Sequence, residues 1–186
     1  AGEPLKGISP APAVAELIKN LHKLCVHSKG ILATVVHAVI GERAFGTAPE
    51  NAVLMATLRA PTPKAMAKLC SEALDLVRRE SSEQGLQFST EWTEEFPATV
   101  NSPRAVEIVE HAAISLGFPV VRPEKPFPWS EDFGHFTKSI PGALFGLGAG
   151  TDSPALHHPS YDFPDSLIDK GVSLFIRILE RTIELG

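Results

Sequence analysis

Cysteine is scarce. Cys25 and Cys70 stand alone in 186 residues. Two isolated thiols cannot frame a disulfide network or a zinc knuckle. Both fall in or beside helical apolar stripes, where burial is the ordinary fate of a thiol, so the compartment reads as reducing and cytoplasmic. Positive charge is also short, with 17 Lys and Arg against 22 Asp and Glu and a net charge of -5. That balance argues against nucleic acid or an anionic membrane as the main partner, since both reward a basic face. No apolar run reaches the length of a bilayer, and none resembles a signal peptide. There is no phosphate-binding glycine loop and no G-x-S-x-G. Gly-Leu-Gly-Ala-Gly at 146–150 follows a predicted strand but opens no helix, so it fails the context test for dinucleotide binding. No internal repeat or low-complexity stretch occurs. The chain begins Ala-Gly-Glu-Pro without a methionine, and reads as a cut through something longer.

What is present suits a folded protein of one domain or two small ones: 44% hydrophobic and 21% charged residues. Ser9-Pro10-Ala11-Pro12 supplies a capping hydroxyl and first-turn prolines, and Val14, Leu17, Ile18 and Leu21 follow at helical spacing. Leu32 to Ile40 is rich in β-branched residues and predicts a strand; Ala52 to Arg59 predicts a second. Pro61-Thr62-Pro63 opens another helix with Met66, Leu69, Ala73, Leu76 and Val77 as its stripe and Gly85 as its stop. Leu86, Phe88, Thr90 and Trp92 then alternate with polar residues, the pattern of a half-buried strand. Helix, strand, strand, helix, strand is a ferredoxin-like split β-α-β unit lacking its first strand.

Pro97 to Asn101 is a candidate boundary. Beyond it, Ser102-Pro103 caps a helix with Val106, Val109, Ala113 and Leu116 inward and Gly117 as the stop. Short buried strands are expected at 118–121 and 143–147, and a short helix over 131–138. Asp165 caps a terminal helix with Ile168, Val172, Phe175 and Leu179 inward. Alternating helix and strand points to part of an α/β sheet.

The chemistry concentrates between Trp129 and Phe163, which gathers Glu131, Asp132, His135, Asp152, His157, His158 and Asp162. Leu156-His157-His158-Pro159 lies in a glycine- and proline-punctuated loop after a predicted strand, where ligands of α/β sheets gather. Adjacent side chains of an extended stretch point opposite ways, so one imidazole can face a metal and the other solvent or a hydrogen-bond acceptor. A surface or structural pair is the competing reading, because a zinc site needs at least three protein ligands. Glu131 and Asp132 could orient a metal-bound imidazole or simply serve the start of a short helix. Arg59, at a strand end, suits bidentate capture of a substrate carboxylate, or is merely solvated. His22, His27, His37 and His111 lack partners at ligand spacing and read as structural.

Several stretches together resemble one family. "SEDFGHF", "PGALFGLGAG" and "ALHHPSYDFPD" in the second half, and "IGERAFGTAPENAVLMATLRAP" and "AGEPLKGISPAPAVAELI" in the first, are similar in order to segments of the metal-dependent amidohydrolases and peptidases that include aminoacylases, hippurate hydrolase and plant auxin-conjugate hydrolases. The resemblance covers essentially the whole chain. It implies an α/β (α+β) fold: a ferredoxin-like lid and dimerisation domain over 1–96, then the C-terminal part of a metallohydrolase catalytic domain over 97–186. It maps the last metal ligand onto His157, with His158, Glu131 and Asp132 supporting it. It implies two divalent metals, usually zinc, with manganese or other ions in some members, a small amide or peptide substrate, and a homodimer through the lid. The remaining ligands, the general base and a lid histidine would lie upstream. Gly46 departs from the family, which often carries a substrate-contacting Asn there.

Two functions compete on these residues. One is a fragment of a metal-dependent amidohydrolase, inactive alone, that cleaves amide bonds of N-acyl amino acids or small peptides. The other is a non-catalytic binding or dimerisation module in which the His pair is incidental.

Overall fold

The structure, a computed structural model, describes residues 2–3, 6–26, 30–129 and 131–185. Parts of the Ala1–Leu5 stretch, His27 and Ser130, all invoked above, lie outside them. The elements run α1 (Ala11–Val26), β1 (Leu32–Ile40), β2 (Ala52–Arg59), α2 (Pro63–Glu83), α3 (Pro103–Ser115), α4 (Gly134–Thr137) and α5 (Ser166–Leu185). They fall into two units, Ala1–Ala98 with Pro126–Ser130, and Thr99–Lys125 with Glu131–Gly186. No helix is long and apolar enough to cross a membrane among the described residues.

In the first unit, α1 and α2 pack together and against an antiparallel hairpin of β1 and β2. Local chemistry starts both helices. The Ser9 hydroxyl accepts the Ala11 amide, and the Thr62 hydroxyl accepts that of Ala65, satisfying amides that a first turn leaves open. Pro63 then occupies the first helical position, where its missing N–H costs nothing. Leu17, Leu21, Ala73 and Leu76 form the core, with Leu24, Val35, Leu54, Leu58 and Val77 packed around it.

The hairpin pairs Leu32 with Arg59 through to Ile40 with Ala52 and carries an irregularity between Val35 and His37. Val36 is the extra residue there; Ala33 and Val35 before it turn inward, and every position of β1 after it is exposed. Gly41 turns the chain with φ +59, and a Cβ there would stand 2.6 Å from that of Pro49, so only glycine fits.

Among the described residues the sheet has two strands. The segment from Leu86 to Trp92 joins no ladder among the described residues, and Phe88 and Trp92 are nearly half exposed. Alternation in the sequence predicts a chain with two faces, but residues 87–96 are all exposed; a strand also needs a neighbour's N–H and C=O groups. The predicted strands at 118–121 and 143–147 are likewise absent. Phe118 instead ends α3: its amide reaches the Ala113 carbonyl past left-handed Gly117 (φ +74), a Schellman closure. Leu86 ends α2 the same way, on Ser81 past Gly85. Leu144 is held by a side chain, the Asn101 amide bonding both its carbonyl (2.8 Å) and its N–H (2.9 Å).

The second unit centres on α3 against α5, around Ala112, Ala113 and Leu174, with Leu116, Phe118, Phe145 and Ile178 beside them. Two alanines let the helices approach closely. The expected inward stripe of α5 is wrong. Ile168, Val172, Phe175 and Leu179 are 53–62% exposed, while Leu167 and Leu174 are buried. The apolar face of α5 is wider than the part that α3 covers, and the α3 contact selects the side carrying Leu174. The Ser102 hydroxyl makes no cap bond to α3; its backbone N–H donates to the Gly142 carbonyl at 2.8 Å instead.

Candidate functional site

The loop from Ala155 to Tyr161 is built from two turns that share His158. In the first, the His158 N–H donates to the Ala155 carbonyl at 2.9 Å, and His157 has φ +69. A left-handed third residue is the mark of a type II turn, a place glycine or asparagine usually takes. In the second, the Tyr161 N–H donates to the His158 carbonyl at 2.8 Å, with Pro159 following His158. Proline presets φ for that position of a turn and has no N–H of its own. The next amide, that of Ser160, donates to His158 Nδ1 at 3.1 Å.

The two imidazoles therefore differ. His158 has one ring nitrogen committed to the backbone. His157 is exposed, and among the described residues its ring has no hydrogen-bond or ion-pair partner. Both its nitrogens are open, which fits one ligand position of a divalent metal. The set stops there: among the described residues no group of three or more His, Cys, Asp or Glu gathers as a metal site. These residues do not complete a centre.

Glu131 and Asp132 lie just before α4, exposed, and neither carboxylate has a hydrogen bond or ion pair among the described residues. The Asp132 backbone carbonyl, not its side chain, accepts the His135 amide at 2.9 Å. Gly46 sits in the exposed loop between β1 and β2, with open space where a Cβ would point. Arg59 ends β2, and its Nη1 donates to the Pro128 carbonyl at 3.1 Å. That bond fastens the short Pro126–Ser130 stretch within the first unit, where Phe127 and Trp129 stack with ring centroids 4.3 Å apart. Nothing in the spacing announced this contact, because 69 residues separate the partners.

Charge effects are strongest away from this loop. The Arg122 guanidinium forks onto both Glu110 carboxylate oxygens. That hydrogen bonding holds the Glu110 carboxyl below the usual carboxylate range, and it raises Arg122. Burial, and then nearby Glu95, push the Cys70 thiol up.

The fold resembles that of the Bacillus subtilis YXEP protein, a dinuclear metal-binding peptidase of the M20 family (TM-score 0.73, 21% identity, 95% of this chain and 46% of that one). It also resembles a Staphylococcus aureus protein described as an aminohydrolase (TM-score 0.65, 18% identity, 95% and 47%). Residues 11–181 match the model of peptidase family M20/M25/M40, and the chain belongs to that family.

Curated relatives include YhaA of Bacillus subtilis strain 168, which carries an amidohydrolase name, at 27% identity over 128 residues (66% of this chain, 32% of YhaA). Another is the N-acetyldiaminopimelate deacetylase of Exiguobacterium sibiricum, at 26% identity over 130 residues (70% and 34%). The chain thus spans about a third of the length of the curated relatives it matches.

Proposed function

We propose that this chain is part of a metal-dependent amidohydrolase acting on amide bonds of small N-acyl amino acids or peptides. The family match over 11–181 carries the reading. Residues 1–96 would serve as the lid, ferredoxin-like and dimer-forming, and 97–186 as part of the catalytic domain. His157 would supply one ligand to a pair of divalent ions, zinc or manganese. Such ions lower the pKa of bound water and polarise the scissile carbonyl. The chain's own part is narrower: an exposed imidazole on a constrained loop, Arg59 at a strand end that would meet a substrate carboxylate, and Glu131 or Asp132 as the carboxylate that would steady a metal-bound ring. With one candidate imidazole and no completed ligand set, the chain alone is expected to be inactive.

A second reading, a non-catalytic binding or dimerisation module, is favoured by one observation: the described residues gather no three-ligand group. Both are tested by co-expressing the chain with a polypeptide that supplies the rest of the family fold. Metal content and hydrolysis of N-acetyl amino acids are then measured, with His157→Ala alongside. Metal and activity in the complemented protein, both lost in His157→Ala, support the hydrolase. A stable, metal-free, inactive assembly supports the module.

A further inference from the structure

We propose that His158 is a positioning residue: by accepting the Ser160 amide on its ring, it holds His157 in the left-handed conformation that presents its imidazole. The argument starts from cost. A side chain with φ +69 is strained relative to glycine and persists only where its surroundings hold it. His157 is exposed, so packing does not hold it. What remains is the pair of turns hinged on His158.

Pro159 biases His158 towards extended backbone and offers no amide. The first amide able to lock the second turn is therefore that of Ser160, and His158 Nδ1 takes it. With the ring and carbonyl of His158 both engaged, its N–H is held on Ala155 and the first turn stays closed over His157. The ring does here what an Asn or Asp side chain does in its own turn, accepting an amide two residues on. Asn Oδ1 and His Nδ1 are the same number of bonds from Cα, so asparagine should replace histidine at 158 and alanine should not. The consequence for metal binding rests on the reading of His157 as a ligand; the positioning itself does not.

The test uses the full 186-residue chain, isotope-labelled, as wild type, His158→Asn and His158→Ala. Solvent exchange of the Ser160 amide at neutral pH and the backbone coupling constant that reports φ at His157 are read by NMR. Leu174, in the core of the second unit, reports that the fold is intact. His158→Ala is expected to speed Ser160 exchange by about three- to tenfold, the worth of one hydrogen bond, and to move His157 out of the left-handed region. His158→Asn is expected to restore both. Alanine leaving both readouts unchanged, or asparagine failing to rescue, overturns the proposal. Titration with zinc ion separates the two claims. Ring signals of His157 that respond in wild type and His158→Asn, but more weakly in His158→Ala, support the positioning role. A wild-type His157 ring indifferent to zinc overturns the ligand reading, and the turn measurements then decide the positioning role by themselves.

Discussion

The two units use their helices differently. In the first, α1 and α2 each turn one stripe onto the hairpin, and Leu69 is 1% exposed. In the second, α3 meets one side of α5, and the other side carries Ile168, Val172, Phe175, Ile176 and Leu179 in the open. Those residues, with Leu147 and Phe163, line an apolar concavity of about 540 Å³. An amphipathic helix with one apolar stripe has a single way to be satisfied. The apolar face of α5 is wider than the part that α3 covers, so its neighbours choose which portion of that face is buried.

The sharpest way to break this contrast is to truncate one leucine in each unit. Leu69→Ala is expected to lower stability by about 2–5 kcal/mol, since both transfer and cavity terms apply. Leu179→Ala, at a side chain 62% exposed, is expected to change it by under about 0.5 kcal/mol. Urea unfolding of the two variants checks this. A large loss from Leu179→Ala would mean that the α5 face is covered in solution.

The helix starts offer a smaller version of the same test. Thr62→Ala removes a cap bond to the Ala65 amide and is expected to cost about 1 kcal/mol. Ser102→Ala removes a hydroxyl that caps nothing and is expected to cost only about a few tenths, as an ordinary surface change does. Equal losses in thermal melts would show that the Ser102 hydroxyl closes onto α3 in solution.

Next comes pH. Glu110 is held below the usual carboxylate range by Arg122. Its contribution is therefore fully present above the ordinary glutamate range and is lost as pH falls below it, through the folded-state value. Unfolding midpoints of wild type and Arg122→Gln should differ near neutrality and converge in acid. A constant gap down to strongly acidic pH would contradict the pairing. The pair is exposed on the arginine side, so the gap should be modest and shrink with salt.

The smallest expected effect lies in the first unit. With its thiol pushed up, Cys70 should alkylate more slowly than a free thiol at mildly alkaline pH, because the thiolate is the nucleophile. Glu95→Gln should quicken it slightly. No change would remove Glu95 as a cause.

Much of the scaffold was legible. The starts of α1 and α2, the two hairpin strands and the glycine stops at 85 and 117 stand where the residues imply. The residues alone leave the choice between His157 and His158 open, the family resemblance points to His157, and neither implies its left-handed backbone. Glycine or asparagine usually takes that turn position, with histidine a less common occupant, and the tie from His158 to Ser160 shows only in the geometry.

What the sequence alone determined is what lies within a few residues. A proline suited to the first turn starts a helix, a glycine that tolerates positive φ stops it, and β-branched runs extend. These rest on bonds between near neighbours and on fixed dihedrals, so their energies are present wherever the chain goes. What only the tertiary structure decided needed distant partners. Leu86 to Trp92 alternates in sequence as a strand would but joins no ladder among the described residues, because a ladder requires a second strand. Asn101 clamps Leu144 across 43 residues, and Arg59 reaches Pro128 across 69. For α5, periodicity states that a helix has apolar sides, but the side that goes inward is set by which surface, here Ala112 and Ala113, arrives against it.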